Sequence, residues 1–111
     1  SLTVCTGIKG CPASPVGEAN GFSARSEKIY AVARWEFLNG RHEVITRWVA
    51  PDGSELFRYK FKLSGGKIRK NRTTYAWISP AYFGARMRPG RWSVQVLLNG
   101  KTAARKHFSI Y

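Results

Sequence analysis

Apolar and polar residues alternate with a period of two along most of this chain, a pattern typical of half-buried β-strands and not of helices. The clearest apolar row is Phe57, Tyr59, Phe61 and Leu63. The residues between them are Arg58, Lys60 and Lys62. We therefore predict that this row faces the protein interior and that the three cations point to solvent.

Seven strands are predicted from such rows and from the turns between them. They are Leu2–Ile8, Lys28–Leu38, Glu43–Ala50, Ser54–Leu63, Thr73–Ile78, Arg91–Leu98 and Lys101–Ile110. The turns carry Asn-Gly at 39–40 and 99–100 and Pro-Asp-Gly at 51–53, which are strong signals for tight connections. Segments 12–21 and 64–72 are predicted to be loops, and no segment favours a helix.

This pattern predicts a seven-stranded antiparallel immunoglobulin-like sandwich, with a five-stranded OB-like barrel as the alternative. The 111 residues, 43% of them hydrophobic, suit a single domain over 1–111, which can also be an excerpt of a longer protein. No apolar run approaches the roughly 20 residues that a membrane-spanning helix needs.

Charge is divided unevenly between the two halves of the sequence. All six acidic residues lie within the first 55 positions, where six cations balance them, so the net charge of +13 belongs to the second half. The acidic residues are Glu18, Glu27, Glu36, Glu43, Asp52 and Glu55. A surface of one sign repels itself, which favours an anionic partner. Solubility alone is the simpler explanation.

The predicted strands give this charge a shape. Same-face residues of one strand lie about 6.6 Å apart, within the Debye length of ~8 Å at physiological salt, so their fields add. The predicted anion-binding residues are Arg58, Lys60, Lys62, Lys67, Arg69, Lys70, Arg72, Arg86, Arg88 and Arg91. This ribbon suits an extended polyanion or a membrane surface better than a small molecule. Alternatively, the cations of the strand protect a sheet edge against aggregation.

Aromatic residues near this ribbon could stack on the bases of single-stranded nucleic acid or on sugar rings. Tyr82 and Phe83, in a predicted loop, are the candidates for such exposed contacts. Trp77 and Trp92 are expected to be buried in the core.

Catalytic chemistry is not indicated. The six carboxylates form no pair in an apolar setting, and His42 and His107 are expected to be exposed strand residues without a nucleophile beside them. No zinc-ligand spacing or phosphate-binding loop is present, so neither a metal nor a cofactor is predicted. Cys5 and Cys11 could form a disulfide in an oxidising compartment, or Cys5 could be a buried thiol, and the sequence favours neither.

Several segments together resemble an uncharacterised family of small β-sandwich modules found in bacterial envelope proteins. They are VCTGI at 4–8, PVG at 15–17, HEVITRWVAPDG at 42–53, RPGRWSVQVLLNGK at 88–101 and HFSI at 107–110. The resemblance implies an accessory domain in the periplasm or cell envelope and supplies no catalytic residue. The segment GCPAS at 10–14 departs from the family pattern.

The predicted function is that of a non-catalytic accessory binding module of a bacterial envelope protein. Its partner would be anionic envelope material, either polysaccharide or lipid head groups, or an acidic protein. A nucleic-acid-binding domain and a purely structural interaction domain are the alternatives.

Overall fold

The computed structural model describes residues 1–10, 13–38, 41–63 and 70–111. Nine strands run through these residues: β1 (Leu2–Lys9), β2 (Ser14–Glu18), β3 (Gly21–Phe22), β4 (Ile29–Leu38), β5 (His42–Val49), β6 (Glu55–Leu63), β7 (Lys70–Ile78), β8 (Gly90–Leu98) and β9 (Lys101–Ile110). One short helix, α1 (Pro80–Phe83), and a 3-10 turn, Gly84–Arg86, separate β7 from β8.

The strands form two sheets that pack face to face. Sheet A has four strands in the order β2-β1-β4-β7, and sheet B has five in the order β3-β9-β8-β5-β6. The core between them combines Val4 and Ile29 from sheet A with Trp48, Trp92 and Phe108 from sheet B. The predicted all-β sandwich is confirmed, with nine strands instead of seven.

Three short departures from the predicted strands have local causes. The segment predicted as a loop over 12–21 contains β2 and the first of the two residues of β3. Pro15 is compatible with β2 because β2 lies at the edge of sheet A, where a proline breaks no ladder. Strand β3 pairs parallel to β9, unlike the antiparallel pairs elsewhere in the described sheets, and the amide of Ser109 donates to Asn20 O at 2.8 Å. Strand β7 begins at Lys70, inside the second predicted loop, whose residues 64–69 lie outside the described ones.

The predicted turns at 51–53 and 99–100 are present, whereas Asn39 and Gly40 lie outside the described residues. Gly53 N donates to Ala50 O at 2.9 Å, which closes the first turn. Asn99 has a φ of 51°, a left-handed conformation that asparagine tolerates and that a two-residue hairpin requires. Its Oδ1 also accepts the amide of Glu43 at 2.9 Å, which ties this hairpin to the start of β5.

Two tryptophans of the core differ in hydrogen bonding. Trp48 and Trp92 are both fully buried. Trp92 Nε1 donates to Arg88 O at 2.8 Å, whereas Trp48 Nε1 has no partner among the described residues. Trp77, which we predicted to be buried, is 45% exposed. That prediction is wrong because the inward positions of β7 are taken by smaller residues. These are Thr74, Ala76 and Ile78.

Cys5 is a free thiol, fully buried on β1, so the disulfide alternative does not describe it. The Cys5 Sγ donates to Gly7 O at 3.1 Å. Burial raises the pKa of this thiol. The buried-thiol alternative therefore describes Cys5, and Cys11 lies outside the described residues.

Candidate binding surfaces

The outer face of sheet B is cationic, and we call it the basic face. Its cations lie on four strands and are Arg47, Arg58, Lys60, Lys62, Arg91 and Arg105. The alternation of β6 produces the first part of this face, because its apolar residues turn toward sheet A and leave the intervening cations in solvent. Pairing across the sheet sets Arg47 opposite Arg58, and Arg105 opposite Gln95.

The basic face is four strands wide. From β6 to β9 there are three strand spacings, about 14 Å at ~4.8 Å each, and each strand rises ~3.3 Å per residue. The cations of β5 and β6 lie within about one Debye length of a neighbour, so an anionic chain there would meet several of them at once. Arg105 lies two strands from Arg47, and Arg91 lies four residues along β8 from the level of Arg105, so these two extend the face as more separate charges.

Two carboxylates also lie on the basic face, and both come from the first half of the sequence. Glu55 Oε1 lies 2.6 Å from Arg47 Nε and 2.8 Å from Arg58 Nη2. Glu43 Oε2 lies 3.4 Å from Lys60 Nζ. Strand pairing brings Glu43 and Arg47 of β5 beside β6, whereas Glu55 and Arg58 lie three residues apart on β6 itself. Six cations against these two carboxylates leave the face with a net charge of +4.

The ion pairs perturb the groups that form them. Hydrogen bonds from Arg58 and then Arg47 lower the pKa of Glu55, so its carboxylate stays charged at neutral pH. The same contact raises the pKa of Arg58. Glu55 therefore holds two arginines of the basic face in a fixed, partly neutralised arrangement.

The other predicted cations do not all join the basic face. Arg88 lies at the end of the sandwich, 69% exposed, with Nη1 3.9 Å from Asp52 Oδ2. Arg86 lies over the ring of Phe83 at 5.0 Å from its centroid. Arg72 is partly buried on β7. Lys70 begins β7. The part of the predicted ribbon formed by Lys67 and Arg69 lies outside the described residues.

A second surface is an apolar cleft of about 940 Å³ where the sandwich is open, which we call the edge cleft. Its walls are the edge strands β6 of sheet B and β7 of sheet A, and α1 closes one end. The inward row of β6 lines it, with Phe57 41% and Tyr59 49% exposed. This row faces sheet A as predicted, but sheet A does not cover Phe57 and Tyr59.

Exposed aromatic side chains are concentrated at this cleft. Among the described residues seven large hydrophobic side chains are exposed, and five of them line the edge cleft. They are Phe57, Tyr59, Tyr75, Trp77 and Tyr82. A contiguous exposed apolar patch on a small protein marks an interaction site more often than chance.

The aromatic rings at the rim of the cleft contact one another and a lysine. Lys28 Nζ lies 4.4 Å from the centroid of the Trp77 ring, a cation–π geometry. Of the two predicted contact aromatics, Tyr82 is 81% exposed, and Phe83 is partly buried with its ring 6.0 Å from that of Phe57. Both line the edge cleft and neither belongs to the basic face.

Sequence reasoning missed the edge cleft and part of the basic face. It assigned the inward row of β6 and Trp77 to the core, and it did not single out Lys28 or Arg105. The available signal was the strand β7 itself, where Tyr75 and Trp77 alternate with smaller residues that could be recognised as the inward set.

Among the described residues no three histidine, cysteine, aspartate or glutamate side chains lie together in a way that could hold a metal ion. In the same part of the chain no helix has the length and hydrophobicity to cross a bilayer.

No family model matches this sequence, and no curated protein matches it either. The resemblance to envelope modules therefore stays a prediction. Among solved structures, an immunoglobulin-like protein from Pseudomonas aeruginosa is similar over 100% of this chain and 92% of its own, with 12% identity and a TM-score of 0.52. This likeness shows that the fold is an immunoglobulin-like sandwich.

An alkylpurine DNA glycosylase from Pseudomonas fluorescens, solved bound to DNA containing an abasic site analog, aligns with 83% of this chain and 27% of its own. Its identity is 19% and its TM-score 0.47, and at that level the likeness carries no argument. Immunoglobulin-like sandwiches serve as binding or structural modules in many cell-surface proteins, but a shared fold assigns no ligand.

Proposed function

We propose that this chain is a non-catalytic binding module that holds an extended anionic polysaccharide of the bacterial envelope on its basic face. The observation that carries this proposal is the set of six cations against two carboxylates on one four-stranded surface. A cationic face that spans four strands fits a polymer that lies across them, whereas small ligands bind mostly in concave sites.

The envelope location is supported by the sequence resemblance alone. A disulfide would have added support for an oxidising compartment, and the free thiol of Cys5 removes it. The proposals about the polysaccharide and about the compartment do not use the edge cleft.

The test compares two triple charge reversals of equal size. One variant carries Lys60→Glu, Lys62→Glu and Arg105→Glu on the basic face. The control carries Lys9→Glu, Arg25→Glu and Arg34→Glu; these three residues are also exposed, and the basic face contains none of them. Binding of a polyuronate, an oligothymidylate and vesicles with anionic lipid is measured at ~0.15 M salt, where clustered cations still cooperate.

The basic-face variant should bind the polyuronate at least ~10-fold more weakly than the control variant, with a shallower dependence on salt. An equal loss of polyuronate affinity in both triple variants would mean that only the net charge of the protein matters, and the proposal would fail. Preference for oligothymidylate or for vesicles would favour the nucleic-acid or membrane alternative. Absence of binding to all three would leave a structural module.

A further inference from the structure

We propose that the edge cleft is an acceptor site for an extended β-strand of a partner protein, in which apolar residues alternate with acidic ones. The strand would add to the free edge of β6. This site shares Arg58, Lys60 and Lys62 with the basic face, but it also uses the interior of the cleft and the backbone edge of β6, so its failure can be told apart from failure of the polysaccharide proposal.

Sheet B ends at β6 with an edge that is unpaired among the described residues. Strand β6 pairs with β5 on one side and has no strand on its other side among the described residues. Its unpaired backbone groups therefore form a template for a further strand. Adjacent to this edge, the inward row of β6 lies half-exposed in the cleft instead of being covered by sheet A. The row from Phe57 to Leu63 spans about 20 Å, at ~3.3 Å per residue, which is the length of an extended segment of six or seven residues.

The two faces of β6 differ in chemistry, so an added strand would need side chains that alternate in the same way. A strand paired with β6 would place alternate residues in the cleft, between the aromatic row and β7. The residues between them would lie on the outer face, beside Arg58, Lys60 and Lys62. Directly opposite positions in paired strands have Cβ atoms only ~4.5–5.5 Å apart, so acidic residues there would pair with these cations. Apolar residues inside and acidic residues outside therefore define the ligand.

The same geometry disfavours a second copy of this chain as the occupant. Pairing of β6 with another β6 would set two rows of cations side by side, and like charges in facing positions destabilise a sheet. The cations thus block self-association at this edge while leaving it open to an acidic strand.

The experiment uses a labelled eight-residue peptide in which glutamate alternates with isoleucine, at concentrations where light scattering shows it to be monomeric. A peptide of the same composition, with four glutamates followed by four isoleucines, is the control for composition. Two further peptides are N-methylated at the odd or at the even residues, which removes the backbone donors on one edge at a time. Binding is followed by fluorescence anisotropy.

The alternating peptide should bind, and the block peptide should bind at least ~10-fold more weakly because it cannot satisfy both faces of a strand. One N-methylated peptide should lose binding and the other should keep it, since only one edge of the added strand faces β6. Equal binding by both N-methylated peptides, or by the block peptide, would overturn strand addition. Absence of peptide binding would also overturn the proposal. The same holds if a small amphiphile such as decanoate displaces the peptide and N-methylation has no effect on peptide binding.

Variants of the protein separate this site from the basic face. Tyr59→Thr should weaken peptide binding and leave polyuronate binding unchanged, because Tyr59 contributes only to the cleft. Tyr111→Thr is the matched control, since Tyr111 is 72% exposed and lies outside the cleft. Threonine keeps a high strand propensity, and circular dichroism confirms folding of both variants. Equal effects of the two substitutions on peptide binding would contradict the proposed site.

Discussion

Replacement of Glu55 by glutamine should strengthen the binding of polyanions to the basic face. In the native protein its carboxylate contacts Arg47 at 2.6 Å and Arg58 at 2.8 Å. Glutamine keeps the size and an acceptor oxygen but removes the charge, so the net charge of the face rises from +4 to about +5. Surface ion pairs contribute little to stability, and the variant should therefore fold normally.

The size of the effect follows from counterion release. Each additional phosphate neutralised steepens the plot of log K against log salt by ~0.7 for a single-stranded nucleic acid, so the one positive charge that the substitution adds to the face should steepen it by ~0.7. Oligothymidylate is the probe, and its affinity is measured by fluorescence anisotropy between about 0.05 and 0.2 M salt.

Glu18→Gln is the matched control for this measurement. It changes the net charge of the protein equally but lies on β2, in the other sheet. Its salt slope should equal that of the native protein. The reasoning would be refuted if both variants gained affinity equally, or if Glu55→Gln bound more weakly than the native protein.

Three further substitutions or reactions test the packing. Trp92→Phe should lower the stability in urea by about 1 kcal/mol more than Trp48→Phe, since only Trp92 has an indole hydrogen bond to lose among the described residues. The Cys5 thiol should react with a disulfide reagent only after denaturation, because it is fully buried and its pKa is raised; rapid reaction of Cys5 in the native protein would contradict this. Gly90→Ala should cost more stability than Gly100→Ala, as both have positive φ but only the former would place a Cβ 2.9 Å from a proline side chain.

Local patterns in the sequence were sufficient to predict most of the strands and the all-β sandwich class. Alternation located β6 and β8 to within one residue at each end, and Asn99 in its hairpin was predictable because few residues accept a left-handed conformation. β2 and β3 were missed because they are short, rich in glycine or proline, and held by pairing with distant strands rather than by their own pattern.

The order of strands in the sheets was not predictable, and it determines both candidate surfaces. Alternation shows that Tyr59 faces inward, but only the position of β6 at an edge leaves that side chain half-exposed. The separation of acidic and basic residues along the sequence likewise does not show which charges are close together in the folded protein. Glu55 lies beside Arg47 in space because β5 and β6 are paired, whereas Arg58 is three residues away on the same strand. Such contacts depend on tertiary arrangement, which no local pattern encodes.

The most direct test of the account is to map polyuronate binding on the protein by NMR. Backbone amide shifts are followed during titration with the polymer at ~0.15 M salt, so that only clustered cations remain effective. We predict that the largest shifts fall on β5, β6, β8 and β9 at residues of the basic face, with β1 and β2 of sheet A unaffected. Shifts spread evenly over both sheets, or confined to sheet A, would contradict the proposed binding surface.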